Sequence, residues 1–146
     1  MYIISSCLLG NNCKYDGGNN ENQKVIEFYQ NHSCCTVCPE TMGGLTNPRE
    51  PAEIKGNRII DRDGLDRTQE FELGAERAWE HVLKQAERRR EHIEGAILKA
   101  NSPSCGNGKI YDGTFSKTLI DGDGIFVKIL KEKNIKIISE KEIDRW

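Results

Sequence analysis

The sequence predicts an α/β fold in one domain: a Rossmann-like, mostly parallel sheet of about four strands flanked by helices, with a small hairpin inserted. The chain has 146 residues, the length of one domain, and 36% of them are hydrophobic and 30% charged. Short apolar runs alternate with segments of helical periodicity. No repeat or low-complexity linker divides the chain, so residues 1–146 are predicted to form a single domain.

Each predicted element rests on its own local pattern. The strands are predicted from short apolar runs at residues 1–6, 34–37, 95–98 and 135–138. The helices are predicted from apolar periodicity at residues 21–32, 68–91 and 125–133. The hairpin is predicted from two short runs, 52–54 and 58–60, around Gly56 and Asn57. Turn residues in 109–123 predict a loop, and the residues after 138 are predicted to be a charged tail.

Charge and hydropathy restrict the classes of partner that this protein is expected to bind. The chain has 21 Lys and Arg residues against 23 Asp and Glu, a formal charge of −2. This balance argues against binding of long nucleic acid through many phosphates but permits one small anionic ligand. No apolar run approaches the roughly 20 residues that span a bilayer, and the first residues do not resemble a secretory signal. We therefore expect a cytoplasmic protein without a membrane partner; no pattern predicts its oligomeric state.

The positions of the cysteines predict a metal site. Six cysteines in a cytoplasmic chain favour metal ligation or thiol chemistry over disulfides. Cys7, Cys38 and Cys105 each follow one of the first three predicted strands. Because loops at the carboxyl ends of parallel strands share one edge of the sheet, these thiols are expected to converge. Three convergent thiolates would make a metal site with one open position.

The spacing alone leaves several thiol chemistries open. Structural zinc sites draw paired ligands from C-x-x-C loops, and only Cys35 and Cys38 have that spacing. An iron–sulfur cluster suits dispersed cysteines, since each iron needs one thiolate. A redox dithiol would need Cys35 exposed at a helix start, whereas Cys34 and Cys35 fit a buried strand. Cys13 lies in a loop near Cys7 and could be a ligand, a neighbour of the ligands or a surface residue.

Five groups of short motifs point to one family. They are Ser6-Cys7-Leu8-Leu9-Gly10, Cys13-Lys14-Tyr15-Asp16-Gly17, Cys38-Pro39-Glu40 with Gly43-Gly44-Leu45 and Pro48-Arg49, Ser102-Pro103-Ser104-Cys105-Gly106, and Ile110-Tyr111-Asp112-Gly113. In order and spacing they resemble the TudS-type thiouracil desulfidase family over nearly the whole chain. The resemblance implies a [4Fe-4S] cluster held by Cys7, Cys38 and Cys105. It also implies non-redox, hydrolase-type removal of sulfur from a thiolated uracil base or nucleotide, giving the oxo compound and hydrosulfide.

The resemblance and the positions of the residues suggest roles at this site. Glu40, two residues after a ligand, is predicted to take a proton from the attacking water, and Ser102 to orient the water or relay a proton. Arg49 is predicted to contact a substrate phosphate and Tyr111 to stack on the pyrimidine. The expected partner is a small thiolated pyrimidine such as thiouracil or 4-thiouridine monophosphate, and the lack of net basic charge argues against whole tRNA.

A non-catalytic function is the alternative. If Cys13 is a fourth ligand, the chain would be an iron–sulfur or zinc-binding protein with a closed site.

Overall fold

The computed structural model of this chain describes all 146 residues. Its strands are β1 (Tyr2–Ser5), β2 (Cys34–Val37), β3 (Ala52–Lys55), β4 (Arg58–Asp61), β5 (Gly95–Leu98), β6 (Lys109–Tyr111), β7 (Leu119–Asp121) and β8 (Ile137–Ser139). Its α-helices are α1 (Gln23–Asn31), α2 (Pro39–Met42), α3 (Thr68–Arg89) and α4 (Ile125–Glu132). Two 3-10 segments complete it, Ser6–Leu9 and Glu140–Arg145.

A four-stranded sheet in the order β2-β1-β5-β8 forms the centre of the molecule. Every pair of neighbours in it is parallel, and Ile3 of β1 lies opposite both Cys35 and Ala96. The predicted α/β class and the parallel sheet are therefore confirmed. Since β1, β2 and β5 are adjacent and run in one direction, their carboxyl ends lie side by side.

Helices cover both faces of this sheet, because alternate side chains of each strand point to opposite faces. On one face Ile3, Val37 and Leu98 pack with α3 and α4. On the other face Ile4 and Ile97 pack with α1 and the last 3-10 segment. The strand residues on both faces are almost fully buried, as expected for a parallel sheet with two covers. No helix is both long and apolar enough to cross a membrane.

Two predicted irregular segments prove to be ordered. The prediction of a loop at 109–123 is wrong, because β6 and β7 pair there as an antiparallel hairpin. The hairpin predicted at residues 52–60 is confirmed as β3–β4. All three residues of β7 are exposed, so the segment lacks the alternation that reveals a strand. The predicted tail is also wrong: a Ser139 capping box starts a 3-10 segment, and Ile143 is buried in the core.

The short helix α2 was not predicted. Pro39 stops β2 as expected, yet it occupies the first turn of α2, where its missing N–H and fixed φ cost nothing. α2 packs closely on α3 through two glycines. A Cβ at Gly74 would lie 1.8 Å from the Pro39 carbonyl oxygen, and one at Gly43 would lie 1.9 Å from that of Glu70. These glycines set the position of α2, which carries Glu40.

We expect Gly74→Ala to destabilise the protein by about 1–3 kcal/mol, since the added methyl overlaps the Pro39 carbonyl and α2 must move. Denaturant unfolding followed by circular dichroism measures this loss. Glu76→Ala, at an exposed position of the same helix, is the control and is expected to change stability by less than about 0.5 kcal/mol. Equal stability of the two variants would show that the helices can separate without cost.

Candidate functional site

A cavity of about 330 Å³ opens at the carboxyl edge of the sheet, and Cys7, Cys38 and Cys105 all line it. Cys7 lies in the 3-10 segment directly after β1. Cys38 is the N-cap residue of α2, directly after β2. Cys105 lies in the loop that follows β5. The structure thus brings together three thiols that are far apart in the sequence.

Cys13 supplies a fourth thiol to the same cavity. The neighbouring thiols of Cys7 and Cys38 raise the pKa of Cys13, and the Cys38 Sγ donates to the Cys13 carbonyl oxygen at 3.9 Å. The same contacts lower the pKa of Cys7 and lower that of Cys38 to about 6, because the hydrogen bond from Cys13 stabilises a thiolate on either neighbour. The sequence left the place of Cys13 open, and its membership in a C-x-x-x-x-x-C pair with Cys7 was the available signal.

The other cysteines differ from these four in their surroundings. Cys105 is buried, which raises the pKa of its thiol, while a hydrogen bond with Ser5 opposes that effect. Cys34 and Cys35 are buried within β2 and do not line the cavity. Burial raises the pKa of Cys34 to about 11. The geometry of Cys35, inside a strand rather than exposed at a helix start, gives no support to a redox dithiol with Cys38.

Glu40 enters the cavity from the first turn of α2 and is held at both carboxylate oxygens. An N–H of the Arg49 guanidinium donates to its Oε1 at 3.3 Å, and the Ser104 hydroxyl donates to its Oε2 at 3.1 Å. The side chain is 21% exposed, so it remains accessible from the cavity. Two donors and one open face give this carboxylate a fixed orientation.

Two serines flank Pro103 in the loop of Cys105, and they have different partners. Ser102 lines the cavity, and its Oγ accepts the backbone N–H of Cys105 at 2.8 Å, so the hydroxyl proton stays available. Ser104 is 1% exposed and is the residue that contacts Glu40. Sequence reasoning selected Ser102 and missed Ser104, although Ser104 directly precedes Cys105.

Arg49 joins three segments of the chain beside the cavity. Besides its pair with Glu40, its guanidinium donates to the carbonyl oxygens of Cys13, at 2.9 Å, and Thr46, at 3.1 Å. Its side chain is 9% exposed. The Nε is buried and has no protein partner. Most of this guanidinium is therefore occupied by protein, and Nε is its one unsatisfied donor.

The two hairpins supply the remaining side of the cavity. Tyr111 of β6 lines it, as do Phe115, Arg62 and Lys117. The Arg62 guanidinium lies 5.8 Å from the centre of the Phe115 ring. Neither Arg62 nor Lys117 takes part in an ion pair, whereas Lys99, another lining residue, pairs with Glu140 at 2.9 Å.

Basic side chains outnumber acidic ones in the lining of the cavity. Two acidic residues line it, Glu40 and Glu53, against five basic ones: Lys14, Arg49, Arg62, Lys99 and Lys117. The whole chain has a formal charge of −2. Like charges that line one concave site focus its potential and favour a ligand of opposite sign. Lys14, Arg49 and Lys99 are paired with carboxylates, so Arg62 and Lys117 are the cations available to an anionic ligand.

The donor set fits a polynuclear iron–sulfur group. Thiolates are the usual ligands of such clusters, and this cavity holds four thiols with no histidine. No group of three His, Cys, Asp or Glu side chains is arranged to hold a single metal ion.

Comparison with known proteins agrees with this fold and donor set. Residues 2–142 match the family described as 2-thiouracil desulfurase. The uncharacterized protein YbbK of Bacillus subtilis (strain 168) is 35% identical over 154 aligned residues, which cover 99% of this chain and 98% of YbbK. A solved structure described as the [4Fe-4S]-dependent thiouracil desulfidase TudS superimposes with a TM-score of 0.83 and 35% identity, covering 99% of this chain and 93% of that one.

The chain therefore belongs to the 2-thiouracil desulfurase family. The resemblance found in the sequence motifs is confirmed by these matches.

The contact between the Cys13 and Cys38 side chains has a measurable consequence in cluster-free protein. Alkylation of Cys38 by iodoacetamide is expected to rise with pH through a midpoint near 6, because the thiolate is the nucleophile. In Cys13→Ala the donor is lost, the pKa of Cys38 rises and the midpoint moves to higher pH. Peptide mass spectrometry reads each cysteine separately. Cys34, with a pKa of about 11, is the internal control and stays unmodified near pH 7. An unchanged midpoint in Cys13→Ala would contradict the contact.

Proposed function

We propose that this protein is an enzyme that removes sulfur from a thiolated uracil ring by hydrolysis, at a [4Fe-4S] cluster held by Cys7, Cys38 and Cys105. Water and the thiocarbonyl are exchanged for a carbonyl and hydrogen sulfide, so no electron donor or acceptor is required. The observation that carries the proposal is the convergence of these thiols with an oriented carboxylate, Glu40, in one cavity. Family membership and the structural match to a [4Fe-4S]-dependent desulfidase support it.

Three of the four thiols are the proposed cluster ligands. Each of Cys7, Cys38 and Cys105 follows a different strand of the central sheet, so the sheet itself holds them apart in a fixed arrangement. When bound, the cluster would supply an iron without a protein ligand that acts as a Lewis acid on the thiocarbonyl. Cys13 remains as a thiol beside two of the ligands, and its single S–H can donate a hydrogen bond to one sulfur or the other.

Glu40 is proposed as the general base. Arg49 and Ser104 hold its two oxygens, so the carboxylate cannot rotate away from the cavity. A water at its exposed face would lose a proton to it while attacking the ring carbon that bears sulfur. Fixing the base in advance reduces the entropy that must be lost in the transition state.

Ser102 is proposed to relay a proton. Its oxygen is tied to the Cys105 backbone N–H, so its own O–H points elsewhere and is free to donate. The hydroxyl can therefore orient the water or protonate the departing sulfur. Arg49 is proposed to position Glu40 through the ion pair between its guanidinium and that carboxylate.

The substrate is proposed to be a nucleotide of the 4-thiouridine monophosphate type. Arg62 and Lys117 are cations without acidic partners at the hairpin side of the cavity, and an anionic group of the ligand would neutralise them. Tyr111 offers a ring face for the pyrimidine on the same side. A free base would contact the thiol side of the cavity and Glu40. Because it has no phosphate, it would leave Arg62 and Lys117 without a ligand.

Cluster content separates the enzyme from a closed, non-catalytic site. After anaerobic reconstitution, Cys7→Ala, Cys38→Ala and Cys105→Ala are expected to lose iron and visible absorption, since each removes a ligand. Cys13→Ala is expected to keep both, as are the core controls Cys34→Ala and Cys35→Ala. Iron and acid-labile sulfide are assayed with the absorption spectrum. Loss of the cluster in Cys13→Ala would favour four-cysteine ligation, and zinc without iron in anaerobically purified protein would favour a zinc-binding protein.

Removal of the proposed base should abolish turnover without removing the cluster. Glu40→Gln is expected to lower kcat by about 10²–10⁴-fold, the usual contribution of a general base, at unchanged visible absorption. Ser104→Ala leaves the carboxylate in place but removes one of its donors, so a smaller loss of about tenfold is expected. Initial rates on 4-thiouracil or 4-thiouridine monophosphate measure both. A fully active Glu40→Gln variant would exclude Glu40 as the base.

Substrate charge tests the proposed nucleotide. In the double variant Arg62→Ala/Lys117→Ala, kcat/KM for 4-thiouridine 5′-monophosphate is expected to fall relative to that for 4-thiouridine by at least about tenfold, the effect of losing hydrogen bonds to a charged group. Lys128→Ala, an exposed lysine of α4 outside the cavity, is the control. If the ratio between the two substrates stays the same, these cations do not bind the phosphate.

A further inference from the structure

Glu53 is a buried carboxylate that the proposed reaction does not use. It lies on β3, is 8% exposed and lines the cavity. It has no ion-pair partner in the chain, although basic side chains line the same cavity. Burial of a carboxylate without a counter-ion is costly, so the position calls for an explanation beyond packing.

Only one of its two oxygens is used by the protein. Oε1 accepts the backbone N–H of Gly113 at 3.0 Å and that of Phe115 at 3.1 Å, which ties β3 to the turn between β6 and β7. No protein donor reaches Oε2. Oε2 is not fully enclosed by protein, and the Glu53 side chain lines the cavity. The side chain is thus a fixed acceptor with one oxygen open to a ligand.

Its neighbours place this acceptor on the hairpin side of the cavity. Phe115, which binds Oε1 through its N–H, also carries the ring next to Arg62. Glu53 is therefore on the side of the unpaired cations. Glu40, by contrast, is the carboxylate whose charge acts on the pKa values of Cys38 and Cys105. Glu40 therefore lies on the thiol side of the cavity, and Glu53 lies on the hairpin side.

We propose that Oε2 of Glu53 accepts hydrogen bonds from the ribose hydroxyls of a nucleotide substrate, so that Glu53 selects ribonucleotides over free bases and deoxynucleotides. This inference rests on the proposed function, with the base at the thiols and the phosphate at Arg62 and Lys117. The ribose then lies between these groups. A carboxylate accepts from hydroxyls but repels a phosphate, so it suits the sugar and not the phosphate.

Binding of the reaction product tests the inference without turnover. Reconstituted protein is titrated by calorimetry with UMP, 2′-deoxy-UMP and 3′-deoxy-UMP. The wild type is expected to bind UMP about 10- to 100-fold more tightly than at least one deoxy analogue, the effect of a hydrogen bond to a charged group. Glu53→Gln keeps an oxygen for Gly113 and Phe115 but turns an amide donor toward the cavity, so this preference should fall to a few-fold or less.

The ratio of affinities separates recognition from a structural role. If Glu53 only ties the hairpins together, Glu53→Gln lowers the affinity for UMP and its deoxy analogues equally, and an unchanged ratio overturns the inference. Equal affinity of the wild type for UMP and both deoxy analogues also overturns it. Glu50→Gln, the same change at an exposed position outside the cavity, is the matched control and should keep the wild-type ratio.

Turnover forms a separate arm of the experiment. Activity is measured on 4-thio-UMP and on its 2′-deoxy and 3′-deoxy analogues with the same variants. A wild type that binds UMP selectively yet desulfurises none of these compounds would refute the proposed function and leave the ribose site standing. A wild type that desulfurises ribo and deoxy substrates with equal kcat/KM and binds their products equally would refute the ribose site alone.

Discussion

The parallel pairing of three adjacent strands is the constraint on which the site depends. β2, β1 and β5 are neighbours in the sheet and run in the same direction, so the residues that follow them share one edge. Neighbouring strands lie about 4.8 Å apart, which brings side chains from three separate parts of the chain to one cavity. Cys7, Cys38 and Cys105 occupy these positions. A shift of any strand would separate a thiol from the other two.

Other elements of the fold orient the side chains at this edge and supply its charged groups. α2 begins directly at Cys38, and its close contact with α3 fixes the direction in which Glu40 enters the cavity. Arg49 and Ser104 then restrict the carboxylate from two loops. The two hairpins cover the other side and contribute two cations without ion-pair partners, Arg62 and Lys117. Orientation and electrostatics are thus supplied by different parts of the fold.

The fold class was predictable because burial imposes a strong pattern. Strands of a parallel sheet are apolar on both faces and stand out as short runs, and α3 carries an apolar stripe over 22 residues. The second hairpin was missed since β7 is exposed throughout and has no such pattern. α2 was missed because four residues are too short for periodicity, and Pro39 is compatible with a strand end and with a helix start.

The sequence by itself determined the α/β class, the family motifs and the three cysteines at strand ends, because hydrophobic periodicity and spacing are local properties that survive without coordinates. Tertiary structure decided which polar groups meet. The contacts of Cys13 with two thiols, of Ser104 with Glu40, and of Glu53 with the turn after β6 join residues 6 to 64 positions apart. Such pairings depend on the packing of loops and hairpins, and no periodic signal in a single sequence encodes them.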